Sequence, residues 1–98
     1  MPPRTTAPSS KSQAYSELLR SIFSPDELRR WLKYYSDDAA AELPGVTASE
    51  LALCQAVAEI TERRGFVGDV GWWRHVLNGR DLRRADIRTV ASLYGVMM

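Results

Sequence analysis

The chain has 98 residues, of which 45% are hydrophobic and 26% charged, as expected of one ordinary globular domain. A domain of this size buries a single core and leaves little room for a deep active-site cleft. Thirteen basic residues against twelve acidic ones give a net charge of +1, which argues against a dedicated nucleic-acid binder. The single cysteine excludes an internal disulfide and fits a reducing compartment. Since no apolar run approaches the roughly 20 residues of a membrane span and the first residues lack a signal-peptide pattern, we expect a cytoplasmic protein.

The first two segments predict a disordered lead-in followed by a helix. Residues 1–12 are rich in Pro, Ser and Thr and show no apolar periodicity. We therefore expect them to be disordered and the folded domain to span residues 13–96. The segment SQAYSELLRSIF then carries one apolar face at helical spacing, formed by Tyr15, Leu18, Leu19 and Ile22.

The segment SPDELRRWLKYY, residues 24–35, has every feature of a second helix. Ser24 is expected to cap it, Pro25 suits its first position, and Glu27 completes a capping box with Ser24. One face is apolar and consists of Leu28, Trp31, Leu32 and Tyr35. The opposite face is basic and consists of Arg29, Arg30 and Lys33. The first face serves folding, and the second is available to a partner.

A short helix and a long one follow. Asp37 is expected to cap the short helix in DDAAAELPG, which its Pro-Gly pair ends. Thr47 and Glu50 are expected to form a capping box for TASELALCQAVAEITERRG, which ends at Gly65. Projected at about 100° per residue, the long helix is apolar over a wide arc, which predicts a central place in a bundle. The arc contains Leu51, Leu53, Cys54, Val57, Ala58 and Ile60, and a narrow polar stripe contains Gln55, Glu59 and Glu62.

Two further helices complete the pattern. Asp69 caps DVGWWRHVLNG, whose expected apolar face is Val70, Trp73 and Leu77. The last helix, roughly residues 82–94, is expected to bury Ile87, Val90, Ala91 and Tyr94. No segment alternates like a strand and no internal repeat is present. The sequence therefore predicts an all-α fold, a compact bundle of about six short helices.

Residues that carry chemistry are few. His75 is the only histidine and has no Cys, Asp or Glu at i+3 or i+4 to form a metal pair, so we expect it to be a surface or packing residue. Cys54 lies in the apolar arc of the long helix and is expected to be a small buried hydrophobe. No phosphate loop, GxSxG or HExxH motif occurs. We therefore expect no enzyme, no metal and no cofactor, with a small Cys54–His75 hydrolase as the least favoured alternative.

Charged surfaces are the remaining candidates for function. The basic groups are Arg29, Arg30 and Lys33 on the second helix, with Arg84 and Arg88 on the last. The acidic groups are Asp37 and Asp38 on the short helix, with Glu59 and Glu62 on the long one. Because the two signs lie on different elements, copies of such a domain can stack with opposite charges in contact. Trp72 is expected to point away from the apolar face of its helix, either as an interface anchor or packed beneath the N-terminal segment.

Four pieces of the chain, in order, resemble the bacterial effector-associated domain 1 family of the death-like domain superfamily. They are Phe-Ser-Pro-Asp-Glu-Leu-Arg-Arg-Trp-Leu (23–32), Leu-Pro-Gly (43–45), Glu-Arg-Arg-Gly before an apolar residue (62–66) and Arg-Arg-x-x-Ile-x-x-Val (83–90). The resemblance runs from about Tyr15 to Gly95. The segment WWRHVLNGRDLRR departs from the family pattern, in which Phe, Leu and usually a Pro precede the Arg pair.

The resemblance implies an antiparallel six-helix bundle of the death fold that acts as an adaptor by like-with-like binding. Such a domain recruits or assembles effectors in bacterial conflict and signalling systems. Its partner is a related death-like domain on an effector, or a second copy in a weak homo-oligomer, and neither nucleic acid nor membrane is expected. The main alternative from another class is a small helical DNA-binding domain that uses Arg80, Arg83, Arg84 and Arg88 on the last helix. Balanced charge and few Asn, Gln or Lys residues on that helix argue against it.

Overall fold

Six α-helices make up most of the part of the chain that the structure, a computed structural model, describes, which is residues 10–98. They are α1 (Ser10–Ile22), α2 (Pro25–Tyr35), α3 (Asp37–Ala40), α4 (Glu50–Arg63), α5 (Val70–Leu77) and α6 (Arg84–Leu93). Short 3₁₀ turns at Phe66–Gly68 and Asp81–Arg83 precede α5 and α6. No strand occurs within these residues, and the all-α prediction is confirmed.

The first helix begins earlier than expected. Ser10, Lys11 and Ser12 lie inside α1, although they belong to the segment predicted to be disordered. The rest of that predicted lead-in, residues 1–9, lies outside the described residues. The hydroxyl of Ser12 donates to Glu62 of α4, so this first turn has a tertiary partner.

Polar side chains cap the helices, in part at other positions than expected. Ser24 caps α2 and Asp69 caps α5, as predicted. The cap of α3 is Ser36 rather than Asp37, and the cap of α4 is Ser49 rather than Thr47. In both cases a serine stands directly before the first helical residue, where its hydroxyl accepts from the backbone N–H three residues on.

The core lies between α1, α4, α5 and α6, with α2 packed against α4 and α5. Tyr15 of α1 is fully buried, and its hydroxyl lies 2.7 Å from Oγ1 of Thr61 on α4. The indole Nε1 of Trp72 on α5 donates to the same hydroxyl at 2.9 Å. These bonds join three helices at one buried point, and burial raises the pKa of the Tyr15 hydroxyl well above its usual range.

The long helix α4 is buried on most of its circumference, as its wide apolar arc predicts. Its buried residues are Leu53, Cys54, Val57, Ala58, Ile60 and Thr61. Leu51 departs from the prediction, because it lies in the first turn of α4 and is 47% exposed. Within residues 10–98, no helix is long and apolar enough to cross a membrane.

Candidate functional site

The two residues considered for catalysis are used in packing. Cys54 is buried in α4, and burial raises the pKa of its thiol, the opposite of what a nucleophilic thiolate requires. The Nε2 atom of His75 lies 2.7 Å from the backbone carbonyl oxygen of Trp31. Because a carbonyl only accepts, Nε2 carries the proton and donates, and Trp31 Nε1 returns a bond to the His75 carbonyl at 2.8 Å. The two rings stack with their centroids 5.6 Å apart, so the His75–Trp31 pair holds α5 against α2.

The described part of the chain also contains no group of three or more His, Cys, Asp and Glu side chains that could hold a metal ion. What residues 10–98 do offer is charge at the surface.

Trp72 is not an interface anchor. Its side chain is 0% exposed, donates to Tyr15 and contacts the rings of Tyr35 and Phe66 at 5.1 and 6.4 Å. The prediction of an outward Trp72 is wrong. Instead the alternative is found, in which Trp72 packs beneath the N-terminal part of the chain, against α1. The reason is that both faces of α5 are covered, one by α1 and α6 and the other by α2.

The basic face of α2 is smaller than predicted. The guanidinium of Arg29 donates to the carbonyls of Pro44 and Gly45 at 2.8 and 2.9 Å, so Arg29 holds the loop between α3 and α4. Arg30 and Lys33 are exposed and have no ion-pair partner among residues 10–98. The basic face of α2 therefore consists of Arg30 and Lys33, with Arg29 at its edge.

Two unpaired carboxylates follow α2 directly. Asp37 and Asp38 occupy the first turn of α3, are exposed, and form no ion pair with any described residue. We call Arg30, Lys33, Asp37 and Asp38 together the α2–α3 surface. It presents both signs of charge within one short stretch of chain, and the α2 part is held on the core by buried Leu28 and Leu32.

The four arginines considered for DNA binding are mostly engaged inside the molecule. Arg80 forms an ion pair with Glu27 at 2.7 Å, and Arg83 donates to the hydroxyl of Ser21 at 3.0 Å and to Asp86 at 2.8 Å. Arg84 pairs with Asp81 at 3.3 Å on the surface. Only Arg88 of the four is exposed without an ion-pair partner among the described residues. The pairing of Glu27 with Arg80 also replaces the return half of the capping box predicted for α2.

An open groove of about 550 Å³ lies between α1 and α4, and we call it the α1–α4 groove. Its lining includes three carboxylates, those of Glu17, Glu59 and Glu62, and no Lys or Arg of the described residues. The half-exposed Leu51 adds apolar surface to it. The groove is therefore suited to a partner that is cationic with an apolar part.

The two predicted glutamates behave differently in this groove. Glu62 is half-buried and accepts from the hydroxyls of Ser12 and Tyr94, so it holds α1 and α6 onto α4. Burial and the neighbouring Glu62 carboxylate raise the pKa of the Tyr94 hydroxyl. Glu59 is exposed and reaches Arg63 only at 3.5 Å. Glu59 is therefore available at the surface, whereas Glu62 is chiefly structural.

Three residues of these surfaces were missed in the sequence. Glu17 stands opposite Glu59 across the groove, a pairing that only the docking of α1 on α4 produces. The sequence places Leu51 in the apolar arc of the long helix and Leu82 at the start of the last helix, but Leu51 is half-exposed and Leu82 is wholly exposed in the turn before α6. For Leu82 the signal is its place between Asp81 and Arg83, in a segment too short and too charged to bury a side chain.

In comparisons with protein-family models, curated proteins and solved structures, nothing matches this chain.

Proposed function

We propose that this chain is a homotypic protein-interaction domain, an adaptor that recruits or assembles effectors as the death-like domains it resembles do in bacterial conflict and signalling systems. Its partner is a second copy or a related domain on an effector. The observation that carries the proposal is the α2–α3 surface, where Arg30, Lys33, Asp37 and Asp38 are exposed and unpaired among the described residues.

Unpaired charges of both signs on one rigid surface suit binding to a copy of the same surface. Under a two-fold axis, residue i of one copy meets residue j of the other, and j meets i. Lys33 of one copy then pairs with Asp37 of the second, and the reverse pair forms at the same time. Each exposed pair contributes about 0–1 kcal/mol, so several must act together and the contact between isolated domains is weak.

The α2–α3 surface also meets the condition of rigidity. Ser24 and Pro25 fix the start of α2. Further along the helix, Trp31 holds α2 against α5 through its two reciprocal hydrogen bonds with His75. A surface that is ordered before binding loses little conformational entropy when a partner is bound.

The competing functions find less support. Three of the four arginines of the DNA-binding alternative already have carboxylate partners, and these pairs lower the positive potential that phosphates would meet. The hydrolase alternative needs an activated thiolate, whereas burial raises the pKa of Cys54.

Complementary charge reversal tests the proposal. A basic-reversed variant carries Arg30→Glu and Lys33→Glu, and an acid-reversed variant carries Asp37→Lys and Asp38→Lys. In an assay of two differently labelled full-length chains, each variant is expected to bind itself at least about tenfold more weakly than the parent does, because like charges then face each other. A mixture of the two variants is expected to recover binding.

Arg74→Glu is the matched control, because Arg74 is an exposed arginine on α5 without an ion-pair partner among residues 10–98. It changes the net charge by the same amount per residue but lies outside the α2–α3 surface. If the reversed variants bind like the parent, or if Arg74→Glu weakens binding equally, the α2–α3 surface is merely solvated.

A further inference from the structure

Leu82 is an apolar side chain that the fold displays to solvent. It is 100% exposed, the highest value among the large hydrophobic residues of the described chain. It lies in the 3₁₀ turn Asp81–Arg83 between α5 and α6. An isolated exposed leucine is common, so its meaning depends on how the turn is held and on what lies beside it.

The turn that carries Leu82 is anchored on both sides by arginines. Before it, the Arg80 side chain is only 10% exposed and lies over the Phe23 ring at 3.9 Å. After it, Arg83 donates to the Ser21 hydroxyl at 3.0 Å at the end of α1. Since the turn is already ordered, burial of Leu82 by a partner costs little conformational entropy.

Two exposed arginines lie on α6, the helix that follows the Leu82 turn. Arg84 and Arg88 are one helical turn apart and both are exposed. Arg84 reaches Asp81 at 3.3 Å while more than half of its side chain stays accessible, and Arg88 has no ion-pair partner among residues 10–98. The partner that fits Leu82 is therefore apolar in the middle and anionic at its edge.

The α1–α4 groove of the same chain has this chemistry. Leu51 supplies apolar surface, and Glu17 and Glu59 supply exposed carboxylates. The geometry points to a head-to-tail contact in which Leu82 of one copy enters the α1–α4 groove of a second copy, with Arg84 and Arg88 against Glu17 and Glu59. This inference rests on the proposed homotypic function, but none of its residues belongs to the α2–α3 surface.

A contact of this kind is head-to-tail, because it joins two different surfaces of the same domain. The surface that one copy presents differs from the surface that the next copy offers to it, so a bound pair still has one unused Leu82 on one copy and one unused groove on the other. The association therefore extends beyond a dimer, unlike the two-fold contact of the α2–α3 surface.

Two complementary defects test the inference. All proteins are full-length chains that also carry Arg30→Gln, Lys33→Gln, Asp37→Asn and Asp38→Asn, which leave the α2–α3 surface without charge. One variant adds Leu82→Asp, which removes the apolar side chain and leaves the groove intact. The other adds Glu17→Lys and Glu59→Lys, which reverses the groove and leaves Leu82 intact. Size-exclusion chromatography with light scattering reports the assembly of each variant and of their mixture.

Each variant alone is expected to be monomeric at concentrations where the background chain forms dimers and larger species. Their mixture is expected to give a one-to-one dimer that goes no further, because it holds one working Leu82 and one working groove. Val46→Asp is the matched control, since Val46 is 87% exposed on the loop between α3 and α4, and it is expected to assemble like the background.

Unchanged helicity and melting temperature confirm that these surface variants are folded. The inference is overturned if the background chain stays monomeric, if Leu82→Asp assembles like the background, or if the mixture forms no dimer. None of these results bears on the proposed function, which the charge swap at the α2–α3 surface decides separately.

Discussion

Arg80 is the residue whose role differs most from the one its sequence context indicates. It belongs to a series of arginines around the last helix and was considered as a DNA-binding cation. In the structure its guanidinium pairs with Glu27, donates to the carbonyl of Ile22 at 3.2 Å and lies over the rings of Phe23 and Trp31. Arg80 therefore fastens the turn before α6 to the junction of α1 and α2.

Arg80→Ala is expected to lower the free energy of unfolding by roughly 2 kcal/mol, because it removes the ion pair with Glu27 together with the packing of a side chain that is only 10% exposed. Chemical denaturation followed by circular dichroism measures the change. Arg74→Ala, which removes an exposed arginine without an ion-pair partner among the described residues, is expected to stay within about 0.5 kcal/mol of the parent. Equal effects of the two substitutions would refute the anchoring role of Arg80.

Tyr15 predicts how stability depends on alkaline pH. Burial raises the pKa of its hydroxyl above the ordinary value of 10.0, so the folded protein keeps a proton that the unfolded chain loses. The contribution to stability is complete below pH 10.0 and is lost progressively as the pH rises above that value.

Tyr15→Phe is expected to cost about 1–3 kcal/mol at neutral pH, since Trp72 Nε1 loses its acceptor. Above about pH 10 the variant is expected to lose stability less steeply than the parent. Denaturation at a series of pH values measures both effects, and parallel curves for the two proteins would mean that Tyr15 titrates alike in the folded and unfolded states.

Gly65 shows how an element boundary follows from the sequence. It is the second residue after α4, following Arg64, and has a φ of +78°, a conformation that residues with a Cβ rarely adopt. The chain reverses here and enters the 3₁₀ turn Phe66–Gly68, which places Trp73 Nε1 2.8 Å from the carbonyl of Val67. The helix end predicted at Gly65 is therefore also the start of the packing of α5.

Gly65→Ala is expected to lower the unfolding free energy by roughly 1–2 kcal/mol because of the left-handed backbone, although no heavy atom lies within 4 Å of the added Cβ. Gly45→Ala is the comparison, since it also meets no atom within 4 Å and has no positive φ. It is expected to be neutral or slightly stabilising. A Gly65→Ala variant as stable as Gly45→Ala would contradict the assignment of strain to this position.

The elements could be predicted from the sequence, but the partners of the polar side chains could not. Apolar periodicity located every helix except the short α3, which was predicted from its capping signal and its Pro-Gly pair. The buried residues Leu28, Leu32 and Ile87 lie where the periodicity placed them. The same method wrongly predicts an exposed Trp72. A helical projection shows only one apolar face and gives no information about a second helix that packs against the other side of α5.

Which charged side chains have a partner inside the molecule was the least predictable feature, for the same reason. Arg29 and Arg30 are adjacent and identical in type, yet Arg29 bonds the loop at Pro44 while Arg30 faces solvent. Which of two arginines has an internal partner depends on contacts between residues distant in sequence. Of the candidate site, the α2–α3 charges could be predicted, and the α1–α4 groove needed the tertiary structure.

The part of the chain that the structure describes has a radius of gyration of 13.3 Å, near the value of about 13 Å for a compact chain of 100 residues. On so small a body the α2–α3 surface, the α1–α4 groove and Leu82 are separate features. If both proposed contacts operate, the two-fold contact joins pairs and the head-to-tail contact extends them. The chain then acts as a node in an assembly.

Sedimentation equilibrium of the unmodified chain at low and high salt tests the homotypic function most directly. Self-association is expected at low salt and is expected to weaken strongly toward 1 M salt, since the screening length falls from about 8 Å at physiological ionic strength to about 3 Å. A chain that remains monomeric at every protein concentration, at low and at high salt alike, would contradict self-association, the form of the homotypic function in which the partner is a second copy.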